Sequence, residues 1–121
     1  MNNKIGLLIL VSLTIFSCNT EIRFDSGKWK NAGGENIMLD TRLNMTNDLI
    51  ESEILINKNE IEIIELLDSS TRLHGKEVEN TKYFAVQEVY GWDIDPKKMT
   101  FIKIVFNDNG KSSSAELYST K

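Results

Sequence analysis

The sequence predicts an α+β domain in which two helices pack on one face of a three-stranded antiparallel sheet. Two segments with helical periodicity, both within residues 44–67, precede three segments with strand character, within residues 82–118. Helices and strands that are segregated along a chain are typical of the α+β class. The dipeptide Asn109-Gly110, a common hairpin turn, lies between the last two predicted strands and makes them antiparallel neighbours.

Length, composition and charge limit the class of protein. The chain has 121 residues, of which 40% are hydrophobic and 26% charged, and this suits a single globular domain. Its net charge is −4 and no basic stripe is present. Because binding to nucleic acid needs a basic surface, we do not expect nucleic acid as a partner.

The N-terminus predicts a signal peptide. Lys4 gives a positive charge to a short polar start, and residues 5–16 are almost wholly apolar. An apolar run of about 7–15 residues is typical of secretory signals, whereas a helix that spans a bilayer needs about 20 residues. A buried core helix is the alternative interpretation of this run.

The end of this run resembles a bacterial lipobox. Ile15-Phe16-Ser17-Cys18 has an aliphatic residue three positions before a cysteine and a small residue directly before it. In such a motif the small residue fits the peptidase, and the thiol receives a diacylglyceryl group. We therefore predict a signal peptide at 1–17, lipidation of Cys18, a tether at 18–23 and one domain at 24–121. Cleavage of an ordinary signal peptide elsewhere is the alternative.

Lipidation of Cys18 would place the protein in the cell envelope. Each buried CH₂ contributes about 0.8 kcal/mol, and two or more acyl chains give stable anchoring. Asn19, not an aspartate, follows the cysteine. This favours the outer membrane over retention in the inner membrane.

Two helices are predicted in the first half of the domain. The first covers residues 44–55, with Asn44 or Thr46 as its cap. The second begins after Asn57, which forms a capping box with Glu60. Its apolar face is formed by Ile61, Ile63, Ile64, Leu66 and Leu67, while Glu62 and Glu65 are expected to face water. Before these helices, residues 24–30 should dock on the core, and 31–35 should form a loop.

Three strands are predicted at residues 82–90, 100–106 and 112–118, with Pro96 in the turn between the first two. A type I′ turn at Asn109-Gly110 sets the register of the last two strands. It pairs Ile104 with Ala115 and Ile102 with Leu117 on one face. On the other face it pairs Lys103 with Glu116 and Phe101 with Tyr118, so that apolar residues and opposite charges meet.

Three segments, FDSGKWKN, RLNMTNDLI and NKNEIEIIELL, resemble small bacterial lipoprotein domains of the SmpA/OmlA-like group. The matching residues are Phe24, Asp25, Lys28, Trp29, Arg42, Met45, Asp48, Leu49, Asn57, Glu60, Ile61, Leu66 and Leu67. The group's Gly-x-Pro exit from the second helix is Asp68-Ser69-Ser70 here. The resemblance implies the helix-helix-three-strand unit also seen in the β-lactamase-inhibitor protein fold, and an envelope lipoprotein that binds other proteins.

Catalytic and metal sites are not expected. His74, the only histidine, lies in a polar loop without a nucleophile motif around it. Asp93 and Asp95 lack the further oxygen ligands of a calcium loop. We expect no cofactor, no metal and no enzymatic activity.

Aromatic residues are the main candidates for a binding surface. Trp92, Tyr90 and Trp29 are proposed for it, because tryptophan and tyrosine are enriched in binding hot spots. Packing in the core is the alternative for each of them. The leading functional hypothesis is a lipid-anchored, non-enzymatic module that binds another envelope protein. The alternative is a lipoprotein that binds a small ligand or glycan on an aromatic patch near Trp92.

The lipid anchor can be tested directly. Mass spectrometry of the mature N-terminus should find Cys18 as the first residue, carrying acyl chains, and fractionation should place the protein with membranes. An unmodified Cys18 or a soluble secreted product would contradict the prediction.

Overall fold

The computed structural model describes residues 22–71, 78–90 and 96–120. The predicted signal peptide, Cys18, His74 and Trp92 lie outside these ranges. The described elements, in chain order, are α1 (Ser26–Asn31), a 3₁₀ turn (Gly34–Asn36), α2 (Thr41–Glu51), α3 (Glu60–Leu67), β1 (Thr81–Tyr90), β2 (Pro96–Phe106) and β3 (Ser112–Thr120).

The predicted α+β class is confirmed, with one additional short helix, α1. The strands form a single antiparallel sheet in the order β1-β2-β3, a meander. One hydrophobic core lies between the helices and one face of this sheet. Its ten buried side chains are Trp29, Met45, Leu49, Leu55, Ile63, Leu67, Phe84, Val86, Ile102 and Ile104. None of the helices in the described ranges is long and apolar enough to cross a membrane.

Helix α1 fixes the segment that was expected only to dock on the core. Asp25 caps the helix and accepts a hydrogen bond from the Lys28 amide. The helix turns the indole of Trp29 inward, where Nε1 donates to the Leu67 carbonyl at 3.2 Å. The ring also meets Phe24 edge to face, with centroids 5.8 Å apart. These contacts join α1 to the end of α3.

Helix α2 begins three residues earlier than predicted, at Thr41. The proposed caps Asn44 and Thr46 therefore lie inside the helix. Asp40 precedes the helix without capping it through its side chain. Its carboxylate accepts a hydrogen bond from Gln87 at 2.6 Å. The early start brings Arg42 into the helix.

The capping box of α3 is real but two residues later than predicted. Asn59 accepts from the Glu62 amide at 2.9 Å, and Glu62 accepts from the Asn59 amide at 3.0 Å. Asn57 is instead part of the turn before the helix, with a φ of 60°. Its amide donates to the Ser112 carbonyl at 2.8 Å. Glu62, which was expected only to face water, therefore also caps the start of α3.

The predicted β2–β3 register is confirmed in all four pairs, from Ile104–Ala115 to Phe101–Tyr118. The turn, however, is not type I′, which needs positive φ at both central residues. Only Gly110 is left-handed, with φ 75°, and the Asn107 amide donates to the Lys111 carbonyl. This geometry is a three-residue loop with a bulge. A second register shift, next to Phe106, restores the predicted pairing.

The strands are also longer than predicted. Strand β2 begins at Pro96, which pairs with Tyr90 as the first residue of the strand instead of lying in the turn. An edge or first position tolerates proline because no ladder amide is needed there. A bulge between Ala85 and Gln87 interrupts β1.

The exit of α3 contains a strained residue. Asp68 ends the helix with φ 73° and ψ −177°, a region that is essentially restricted to glycine. This is the position at which the SmpA/OmlA-like pattern has glycine. The chain therefore makes the glycine-type exit with an aspartate.

We predict that Asp68→Gly stabilises the fold by about 1 kcal/mol, because glycine relieves the strain at this φ and ψ. Chemical denaturation of both proteins measures the difference. Asp68→Ala is the matched control, since it removes the carboxylate but keeps the Cβ, and it should not stabilise. Equal stabilisation by both substitutions would assign the effect to charge instead of backbone strain.

Candidate functional site

The face of the sheet that points away from the core carries a row of three aromatic rings, one from each strand. Tyr83 in β1, Phe101 in β2 and Tyr118 in β3 form this aromatic row. Ring centroids are 6.1 Å apart for Tyr83 and Phe101, and 5.5 Å apart for Tyr83 and Tyr118. Phe101 and Tyr118 are directly opposite each other in the β2–β3 ladder.

The two tyrosines cover the phenylalanine between them. Tyr83 and Tyr118 come from strands that are not neighbours, yet their rings touch, so both must lean across β2. Phe101 is consequently only 3% exposed, although the core helices pack on the other face, while Tyr118 is 37% exposed. The row is a preformed aromatic surface whose rings are held in place by their neighbours.

Polar groups flank the aromatic row on the same face. Lys103 and Glu116 are directly opposite each other beside it. At the end of β1, the Tyr90 hydroxyl donates to the Glu88 carboxylate at 2.7 Å. This hydrogen bond stabilises the protonated phenol and so raises the pKa of Tyr90 above its ordinary value.

The aromatic residues proposed from sequence for a binding surface differ in their exposure. Trp29 is 0% exposed, so it presents no area to a partner, and its inclusion in a binding surface was wrong. The ring is enclosed by Phe24 and the Arg42 guanidinium, and its N–H is satisfied by the Leu67 carbonyl. Tyr90 is exposed and lies on the outer face, beyond the row. Trp92 lies outside the described residues.

Only one contact of the aromatic row was predicted from the sequence, the pairing of Phe101 with Tyr118. The register placed Phe101 opposite Tyr118 on the face away from Ile102 and Ile104. Tyr83 is one residue before the buried Phe84, so strand alternation places it on that same outer face. Combining the alternation of all three strands would have revealed the row.

Arg42 was expected only as one of the residues that match the SmpA/OmlA-like pattern, without a role of its own, and it is 5% exposed. Its Nε donates to the Trp29 carbonyl at 2.7 Å and its Nη1 to the Ala85 carbonyl at 2.8 Å. The guanidinium carbon lies 5.2 Å from the centroid of the Trp29 ring. Burial lowers the pKa of Arg42, and the negative charge of Asp68 partly offsets this.

A cavity of about 320 Å³ lies beside Arg42 at the outer edge of β1. Its lining includes Gly33, Asp68 and Glu88 together with Arg42. Two acidic residues and one arginine line the cavity, so the charges do not favour an anion. Among the described residues, no group of three or more His, Cys, Asp or Glu side chains could hold a metal ion. The aromatic row is therefore the better candidate for a binding site.

Gly33 makes room for Arg42. A Cβ on Gly33 would lie 2.6 Å from Arg42 Nη2. The guanidinium is held in place by the two hydrogen bonds that its Nε and Nη1 donate to backbone carbonyls. We predict that Gly33→Ala destabilises the fold by about 1 kcal/mol, by displacing the guanidinium from its carbonyl partners. Denaturant unfolding provides the measurement.

A double-mutant cycle separates this cause from others. In an Arg42→Met background the flexible thioether can move aside, so Gly33→Ala should cost little, giving a coupling of about 1 kcal/mol. An equal cost in both backgrounds would show that the substitution acts independently of Arg42.

Comparison with known proteins leaves the function to be argued from this geometry. No family model matches the chain, and no curated protein or solved structure is significantly similar to it. The resemblance to the SmpA/OmlA-like group stays a prediction from the residues that carry it.

Proposed function

We propose that the protein is a lipid-anchored component of the cell envelope that binds another envelope protein through the aromatic row. The observation that carries the proposal is the contact of Tyr83 and Tyr118 over Phe101 on the outer face of the sheet. The proposed role needs no catalytic residue, cofactor or metal.

The chemistry of the row favours a protein partner. Tyrosine supplies a large, rigid contact area together with a hydroxyl, and it is enriched at the centre of protein interfaces. Here the rings are already fixed by their neighbours, so little side-chain entropy is lost on binding. The row lies across a sheet, which suits a broad partner surface, whereas small ligands generally bind in concave sites.

Lipidation would limit where the partner can be. The tether predicted at residues 18–23 spans at most about 20 Å when fully extended, at roughly 3.5 Å for each residue. A domain on this tether stays close to the lipid surface. The partner is accordingly expected to be embedded in the membrane or bound to it, and the outer membrane is the proposed location.

The aromatic row can be tested with two tyrosines of equal exposure. Tyr118 and Tyr90 are each 37% exposed, but only Tyr118 belongs to the row. Protein expressed from the full chain and isolated from detergent-solubilised membranes should retain its partner. We predict that Tyr118→Ser weakens this binding at least tenfold, about 1.4 kcal/mol, whereas Tyr90→Ser leaves it nearly unchanged.

Thermal unfolding of both variants is the necessary control, because removing Tyr118 uncovers Phe101. Equal partner binding by the two variants, with folds intact, would exclude the row as the interface. The glycan or small-ligand alternative makes a different forecast. It expects no stable protein partner and a glycan affinity that Trp92→Ala abolishes.

A further inference from the structure

Strand β3 forms an edge of the sheet whose outward main-chain groups lack partners among the described residues. The Phe106 amide donates to Asn80, on the β1 side of β2. Alternation then directs the main-chain groups of Lys103 and Phe101 toward β3, where they meet Glu116 and Tyr118. The alternate residues of β3 are Ala115, Leu117 and Ser119. Their main-chain N–H and C=O groups point outward, and none of these groups bonds to a described residue.

The opposite edge of the sheet is occupied. Along β1, the Tyr83 carbonyl accepts from the Thr71 amide at 2.8 Å. The Ala85 carbonyl accepts from Arg42, and the Glu88 amide donates to the Ile37 carbonyl at 3.3 Å. The two edges of the same sheet therefore differ, and within residues 22–71, 78–90 and 96–120 only β3 offers a run of unused hydrogen-bonding groups.

From Ser114 onward, the β3 edge also lacks the features that usually prevent pairing. Natural edge strands are protected by lysine, proline, bulges or inward charges. Between residues 113 and 120, the only charged residue is Glu116, and no proline or lysine occurs. Pairing with β2 runs without a bulge from Ser114 to Thr120. This part of the edge is regular and nearly uncharged.

We propose that two copies of the protein pair their β3 strands antiparallel, with the two-fold axis at Leu117, and so join two sheets into one of six strands. This register places Leu117 against its twin, Ala115 against Ser119 and Glu116 against Tyr118. Leu117 is 47% exposed, although it is directly opposite the fully buried Ile102 on the core side of the sheet. The second copy covers this exposed leucine.

Other registers fit less well. Main-chain groups that point outward from one copy can pair only with outward groups of the other copy. A change of register therefore moves the two-fold axis from Leu117 to a neighbouring residue. An axis at Glu116 sets two carboxylates directly opposite each other, which is destabilising. An axis at Ala115 places Leu117 against Ser113, and an axis at Tyr118 leaves Ala115 beyond the paired β3 residues. Leu117 is thus the centre at which the edge is self-complementary.

The pairing would also extend the outer face. The two-fold axis is perpendicular to the sheet, so both aromatic rows lie on the same face of the joined sheet. Tyr118 of each copy then lies beside Glu116 of the other, with the second Tyr118 at a diagonal position within reach of an aromatic ring. The proposal does not depend on the lipid anchor or on the function of the row, since it follows from the edge alone.

Sedimentation equilibrium of the full-length chain in detergent solution tests the proposal. The wild type should show a concentration-dependent monomer–dimer equilibrium. Leu117→Lys places two ammonium groups at the axis and should weaken the dimer at least tenfold. Leu39→Lys is the matched control. Leu39 is also exposed, at 56%, and lies in the loop that contacts β1 at the opposite edge, so dimerisation should not change.

Amide exchange and a charge variant test the register. Amides of Ala115, Leu117 and Ser119 should become protected only in the dimer, whereas those of Glu116 and Tyr118 are protected by β2 in either state. Glu116→Gln should leave the affinity nearly unchanged, because Glu116 faces Tyr118. A strong increase in affinity would instead show an axis at Glu116 and overturn the proposed register.

Two results would overturn the pairing itself. One is a wild type that stays monomeric at millimolar concentration. The other is a dimer in which the three outward amides exchange freely, or whose dissociation constant is unaffected by Leu117→Lys.

Discussion

The buried guanidinium of Arg42 is the interaction on which the arrangement of the other elements depends. It binds the carbonyl at the end of α1 and a carbonyl of β1, and it lies against the Trp29 ring. A buried charge is tolerated only when hydrogen bonds replace its hydration. The packing of α1 and the position of β1 must therefore both be correct for Arg42 to be buried at all. The position of α1 then brings Trp29 to the end of α3, which completes the core.

Much of the fold could be predicted because local pattern and pairing agreed. The β2–β3 register was predictable from charge and apolar pairing, and it held although the turn type was wrong. A loop one residue longer shifts the pairing, and the bulge next to Phe106 shifts it back. The cap of α3 could not be decided locally, since Asn57-x-x-Glu60 and Asn59-x-x-Glu62 are the same pattern. The bond from the Asn57 amide to Ser112, distant in sequence, decides between them.

The candidate site illustrates the same limit. Trp29 was selected by residue type alone. The structure shows why this was misleading, because the only polar atom of its side chain, Nε1, has a partner in the core. The three rings of the row, two tyrosines and one phenylalanine, are less conspicuous in the sequence because they come from three separate strands. A bulge in β1 makes the faces of later residues harder to predict, since it shifts the alternation after Ala85 and places Glu88 and Tyr90 on the outer face. Which face a residue occupies is thus a property of the folded sheet.

The occupied edge of β1 has a consequence for assembly at high local concentration. A sheet with two open edges is equivalent to a bifunctional monomer, and repeated addition at both ends can grow without limit into fibrils. With Thr71, Arg42 and Ile37 bound along β1, the described part of the domain has one open edge, that of β3. A monofunctional unit terminates growth after a single addition. Crowding would then give a finite species, and the protein would stay dispersed where an open sheet would polymerise.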